Sequence, residues 1–123
     1  MNQTHAYTLV LGASDKPERY SYKAIRLLRS HGHSVIAIGS RASQVEDVPI
    51  LKEWDAVTPV ETITLYLNPS RQEAFYSQIL HALPTRIIFN PGTENDTLRE
   101  LAEAKGIECI EACTLVMLHT GQY

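Results

Sequence analysis

The sequence predicts an α/β fold: a five-stranded parallel sheet in a three-layer sandwich with helices on both faces. Three observations predict it. Apolar, β-prone runs alternate with stretches whose apolar residues recur at helical spacing. The strand runs are apolar almost throughout, as strands buried on both faces require. Single glycines punctuate the junctions, at Gly12, Gly32 and Gly106, where the chain leaves a strand or ends a helix.

The first strand is read at Tyr7–Leu11 and ends abruptly in Gly12-Ala13-Ser14. A helix begins near Ser21, whose hydroxyl suits a cap, and buries Ala24, Ile25, Leu27 and Leu28. Ser34–Ile38 forms the second strand and leads into Gly39-Ser40-Arg41. Residues 42–59, with Pro49 and Pro59 and mixed charge, read as a long connection that covers a site. The third strand is Thr62–Leu67. Asn68-Pro69 then starts a helix, with Asn as cap and Pro in the first turn, whose buried face is Phe75, Ile79, Leu80 and Leu83. Arg86–Phe89 is the fourth strand, a helix runs from about Asn95 to Lys105, and Ile107–Ile110 is the fifth strand. The apolar tail Leu115–Leu118 reads as a short helix, and packing on the core and a homodimer contact are both open to it.

Strands separated by helices, with right-handed connections, give the Rossmann-like order 3-2-1-4-5. In that order the winding reverses between strands 1 and 4. The ligand crevice is then expected between Gly12-Ala13-Ser14 and Asn90-Pro91-Gly92.

A chain of 123 residues with 44% hydrophobic content suits one domain spanning residues 1–123. Its net charge of -3 argues against nucleic acid as a partner. No apolar run reaches membrane-spanning length, and the polar opening Met1–His5 does not resemble a secretory signal. Two cysteines are no disulfide framework, and cytoplasmic residence is the expectation.

The chemistry expected of the crevice is anion binding. Small residues at Gly12-Ala13-Ser14 let a phosphate approach the backbone, and the next helix presents free amides. Ser14 and Ser21 add hydroxyls, Lys16 and Arg19 add charge, and Tyr20 is a candidate to pack on the ligand. No acid follows the second strand, where one would accept from a ribose 2′-hydroxyl. Ser40 and Arg41 suit a ribose phosphate instead, as in coenzyme A or NADP.

These residues resemble the CoA-binding domain family, single-domain proteins related to the nucleotide-binding domain of succinyl-CoA synthetase. The resemblance rests on Gly12-Ala13-Ser14 with Pro17, Arg19, Tyr20 and Ser21, on Gly32, and on Gly92 and Asn95, with Cys113 near the end. It implies coenzyme A, with pyrophosphate on the first loop and adenosine over the end of the second strand, and no settled catalytic activity. Where the family commonly has Asn-Pro after the second strand, this chain has Gly39-Ser40-Arg41. Where the family has aromatic-x-Gln-x-Gly after the fourth, it has Phe89-Asn90-Pro91-Gly92.

The residues themselves support a binding module for coenzyme A or a related phosphorylated adenine nucleotide, acting as sensor, carrier or regulator. A small NADP-type oxidoreductase or other nucleotide-using enzyme, and an interaction protein that has lost its ligand, are the other readings. No His–acid pair stands near Ser14 or Cys113 and no Gly-x-Ser-x-Gly elbow occurs, so no catalytic residue is assigned. Cys109, Cys113 and His119 lack the fourth ligand of a structural zinc site, so no metal is expected.

Overall fold

The computed structural model describes residues 6–55 and 57–123, so the tail position His5 lies outside the described residues. The chain runs β1 (Tyr7–Ala13), α1 (Tyr20–Ser30), β2 (Val35–Gly39), β3 (Ser43–Val45), β4 (Val48–Leu51) and β5 (Val60–Leu65). It continues through α2 (Pro69–Gln72), a 3-10 turn (Glu73–Phe75), α3 (Tyr76–Ala82), β6 (Arg86–Phe89), α4 (Asp96–Glu103), β7 (Glu108–Glu111) and α5 (Thr114–His119).

The sheet has seven strands in the order β3-β4-β2-β1-β5-β6-β7, and only β3 is antiparallel to its neighbour. This corrects the five-stranded expectation. The supposed connection at 42–59 contains a hairpin, with Val45 opposite Val48. Its apolar residues alternate: Val45, Val48 and Ile50 are buried, while Gln44 and Pro49 face out. Pro49 is tolerated because β4 pairs with β2 only at Ile50 and Leu51, beyond the missing proline amide. With β4 occupying the place beside β2, the strand at 62–67 is displaced to the other side of β1. The six parallel strands, counted along the chain, therefore follow 3-2-1-4-5-6, and the winding reverses between β1 and β5.

Two apolar layers hold the sheet. On one face Leu9, Leu11, Ile63, Leu65, Ile87 and Phe89 pack with Ile79 of α3 and Leu98 and Ala102 of α4. On the other, Val10, Ala37, Val45, Val48 and Ile50 pack under Ile25 and Leu28 of α1 and Leu118 of α5. The helix expected after Asn68 is broken into α2, the 3-10 turn and α3. Leu83, expected on its buried face, is instead an exposed left-handed C-cap with φ 48°.

Candidate functional site

A cleft of about 660 Å³ opens at the carboxyl ends of β1, β2, β4 and β5, where the winding reverses. Its floor is the end of β1. Gly12 has φ +98°, and a Cβ there would come 2.9 Å from the Tyr66 carbonyl carbon and 3.0 Å from the Leu67 side chain. Gly39 is equally constrained: a Cβ would overlap the Ala13 carbonyl oxygen and sit 2.9 Å from Ile50 Cγ2. These glycines let three strand ends close together, and the Tyr66 amide donates to the Leu11 carbonyl at 2.8 Å across the seam.

The loop after β1 supplies Ser14, Asp15, Lys16 and Arg19 to the cleft. Ser14 Oγ accepts from the Lys16 amide at 3.1 Å, which fixes the turn. Arg19 is the N-cap residue of α1, where its donor-only guanidinium cannot cap the helix amides, and it lines the cleft. The loop after β2 supplies Ser40 and Arg41; β3 opens with Ser43, and Lys52 follows β4. The opposite wall is Tyr66, Leu67, Ser70, Arg71, Ala74 and Phe75. Asn68 positions that wall: its Oδ1 accepts from the Arg71 amide at 3.0 Å and from Ser70 Oγ at 2.8 Å.

Five cations therefore face the cleft: Lys16, Arg19, Arg41, Lys52 and Arg71. Among the described residues only Arg41 of these is ion-paired, to Asp15 at 3.7 Å. Among the described residues Asp15 is the one carboxylate in the lining; it accepts the Ser43 hydroxyl at 2.5 Å. That hydrogen bond, with Arg41 beside it, holds the Asp15 carboxyl below the usual carboxylate range. Burial pushes the Tyr66 phenol up to about 12, against hydrogen bonds with Thr64 and Thr114, neither of which lines the cleft. No histidine or cysteine lines the cleft among the described residues.

Of the residues expected at the site, Gly12, Ala13, Ser14, Arg19, Gly39, Ser40 and Arg41 are brought together. Tyr20 is not; it is 68% exposed, with the Lys23 ammonium over its ring. Ser21 is buried in α1 and caps nothing.

Asn90, Pro91 and Gly92 lie outside the cleft because β5, not β6, adjoins β1. Asn90 is a buried tie. Its Nδ2 donates to Thr64 Oγ1 at 2.7 Å and to the Leu65 carbonyl at 2.8 Å, while its Oδ1 accepts the Thr114 amide at 2.9 Å. Thr93 and Asp96, at capping-box spacing, do not cap α4. Asn95 does, accepting from the Leu98 amide at 3.1 Å.

Sequence reasoning missed Asp15, Ser43, Lys52, Tyr66, Leu67, Ser70 and Arg71. The sequence offered little signal for Ser43 and Lys52: only Val48 and Ile50 alternate across Pro49. With that hairpin recognised, the end of β5 becomes the second wall.

Fold and cleft together define a mostly parallel α/β domain with a cationic cleft at its switch point. A family model described as CoA binding domain matches residues 7–119, and the chain belongs to that family. A crystal structure of an uncharacterized protein is 43% identical, with TM-score 0.91 over 98% of this chain and 100% of that one. A hypothetical protein from Pyrococcus horikoshii OT3 is 20% identical, with TM-score 0.84 over 96% of this chain and 84% of that one, and shares the fold. The fold also recurs in the dinucleotide forming acetyl-coenzyme A synthetase 1 of Ca. Korarchaeum cryptofilum, in complex with phosphate and ADP. There identity is 16% and the TM-score 0.66, over 88% of this chain and 26% of that one. No curated protein matches the chain. Among the described residues, no helix is long and apolar enough to cross a membrane.

Proposed function

We propose that the cleft binds coenzyme A and that the protein acts as a binding module rather than as a catalyst. The observation that carries this is the gathering of five of the chain's 11 basic residues around one cleft, in a protein of net charge -3. Coenzyme A offers three phosphates in two places, a pyrophosphate and a ribose 3′-phosphate. Lys16 and Arg19, on the loop after β1, suit the pyrophosphate; Ser40 and Arg41 after β2, Ser43 at the start of β3 and Lys52 after β4 suit the ribose phosphate. Membership of the CoA binding domain family supports the same ligand. The absence of any histidine or cysteine from the described lining, and the engagement of Asp15 with Ser43, leave no evident acid–base pair in the cleft.

The test is calorimetric titration and thermal melting with coenzyme A, 3′-dephospho-coenzyme A, NADP, NAD and ATP at one fixed salt concentration. Coenzyme A is expected to bind most tightly. At a hundredfold excess over its Kd it adds about 2.7 kcal/mol of stability. Arg41→Ala narrows the gap between coenzyme A and its dephospho form. No response to saturating coenzyme A, or an equal response to NADP, overturns the proposal.

A further inference from the structure

We infer that Asp15 is an internal competitor for the ligand's ribose phosphate, its carboxylate occupying in the free protein the Ser43 hydroxyl and Arg41 guanidinium that the phosphate needs. This rests on the coenzyme A reading above. β1 and β3 are separated in the sheet by β2 and β4, yet Asp15, on the loop after β1, reaches Ser43 at the start of β3. The contact spans the carboxyl ends of both intervening strands, over the surface assigned to the adenosine.

Ser43 Oγ donates to Asp15 Oδ2 at 2.5 Å, and Arg41 Nη2 forms an ion pair with the same oxygen at 3.7 Å. A hydroxyl and a guanidinium on one anionic oxygen is the donor set a phosphate takes. A lone carboxylate among five cations otherwise has no place in an anion site, where it repels the ligand. The same two contacts keep Asp15 ionised to well below neutral pH, so the competitor is present whenever the ligand is. The phosphate enters by displacing Asp15 from both partners, and part of its binding free energy is spent on that exchange.

Asp15→Asn separates competition from scaffolding. The amide oxygen still accepts the Ser43 hydroxyl, so the loop stays tied, but the charge is gone. Asp15→Ala removes both, and melting curves of each variant without ligand report whether the fold is intact. Titration with coenzyme A and 3′-dephospho-coenzyme A is expected to show Asp15→Asn binding coenzyme A about fivefold more tightly. The dephospho form gains less than about twofold, the scale of relieving one partly exposed charge pair. In an Arg41→Ala background the gain disappears, because no guanidinium remains to be released.

Equal tightening of both ligands overturns the inference, since the charge then acts at a distance and not on the ribose phosphate. Weaker binding of coenzyme A by Asp15→Asn overturns it as well, and makes Asp15 a positioning residue for Arg41. Either result leaves the coenzyme A reading standing. Failure of both wild type and variant to bind coenzyme A removes that reading and the inference with it.

Discussion

Replacing Asn90 with alanine tests whether the segment after β6 serves the ligand or the fold. The wild-type amide is 3% exposed and makes three hydrogen bonds, to Thr64 Oγ1, the Leu65 carbonyl and the Thr114 amide. Thr64 Oγ1 keeps a partner in Thr114 Oγ1 at 2.7 Å, and the Leu65 carbonyl sits in a sheet. The Thr114 amide, on a residue with no exposure, is left with nothing. An orphaned buried donor costs about 1–3 kcal/mol, and each of the other two lost bonds about 1 kcal/mol. The sum is about 3–5 kcal/mol, a large part of the roughly 5–15 kcal/mol that holds a domain together.

Urea unfolding followed by the fluorescence of Trp54, the single tryptophan and 6% exposed, reads this directly. The midpoint is expected to fall by about 2 M with the slope unchanged. Coenzyme A affinity of the folded fraction stays at the wild-type value. A loss under about 1 kcal/mol, accompanied by a tenfold drop in affinity, would return Asn90 to the ligand and refute the buried-tie argument.

Gly39→Ala places a methyl against the Ala13 carbonyl and Ile50, where main chain cannot yield, so a cost of about 2–3 kcal/mol and a Tm about 10 °C lower are expected. A melting curve indistinguishable from wild type refutes the close approach of β1 and β2. His33 packs edge-on to Tyr123 at 4.8 Å, and burial above all holds its pKa below the ordinary 6.5. The unfolded chain takes up that proton near pH 6.5 while the folded protein resists it. Stability present above pH 6.5 is therefore lost as pH falls below it. Urea midpoints at pH 8 and pH 5.5 should differ more for wild type than for His33→Gln; equal differences refute the assignment.

The parts of the fold that sequence made legible are those where local and tertiary demands agree. Tyr7–Leu11 is apolar because β1 is central, and Gly12 follows because the strand ends must close; both causes leave a mark on neighbouring residues. Gly32 and Gly106 take φ +84° and +82° at helix ends, a demand that can be read one residue at a time. The β3–β4 hairpin left no such mark. Its two-residue turn is Glu46-Asp47, with Glu46 at φ 54° and no glycine, and Pro49 argues against a strand.

One missed hairpin had consequences beyond itself, because strand order is a global property. Without β4 beside β2, the strand at 62–67 was assigned its place, and the wall of the crevice moved from Tyr66-Leu67 to Asn90-Pro91-Gly92. The part of the cleft lining that comes from the first loop is local in sequence and legible there. The part contributed by β4, β5 and α2 depends on topology and is not.

Charge placement ties the cleft to the rest of the molecule. The cleft carries five of the 11 basic residues and one of the 14 acidic ones, so the remaining surface is strongly acidic. Away from the cleft, three arginines form ion pairs among the described residues: Arg26 with Glu46 at 2.7 Å, Arg29 with Asp47 at 2.7 Å, and Arg99 with Glu111 at 3.5 Å. The first two fasten α1 to the β3–β4 turn, holding in place the hairpin that carries Ser43 and leads to Lys52. A cluster of cations lining one concave site raises the local attraction for anions there. Asp15 is the counter-charge within that lining, paired with Arg41 at 3.7 Å, so the proposed coenzyme A site carries its own anion beside its cations.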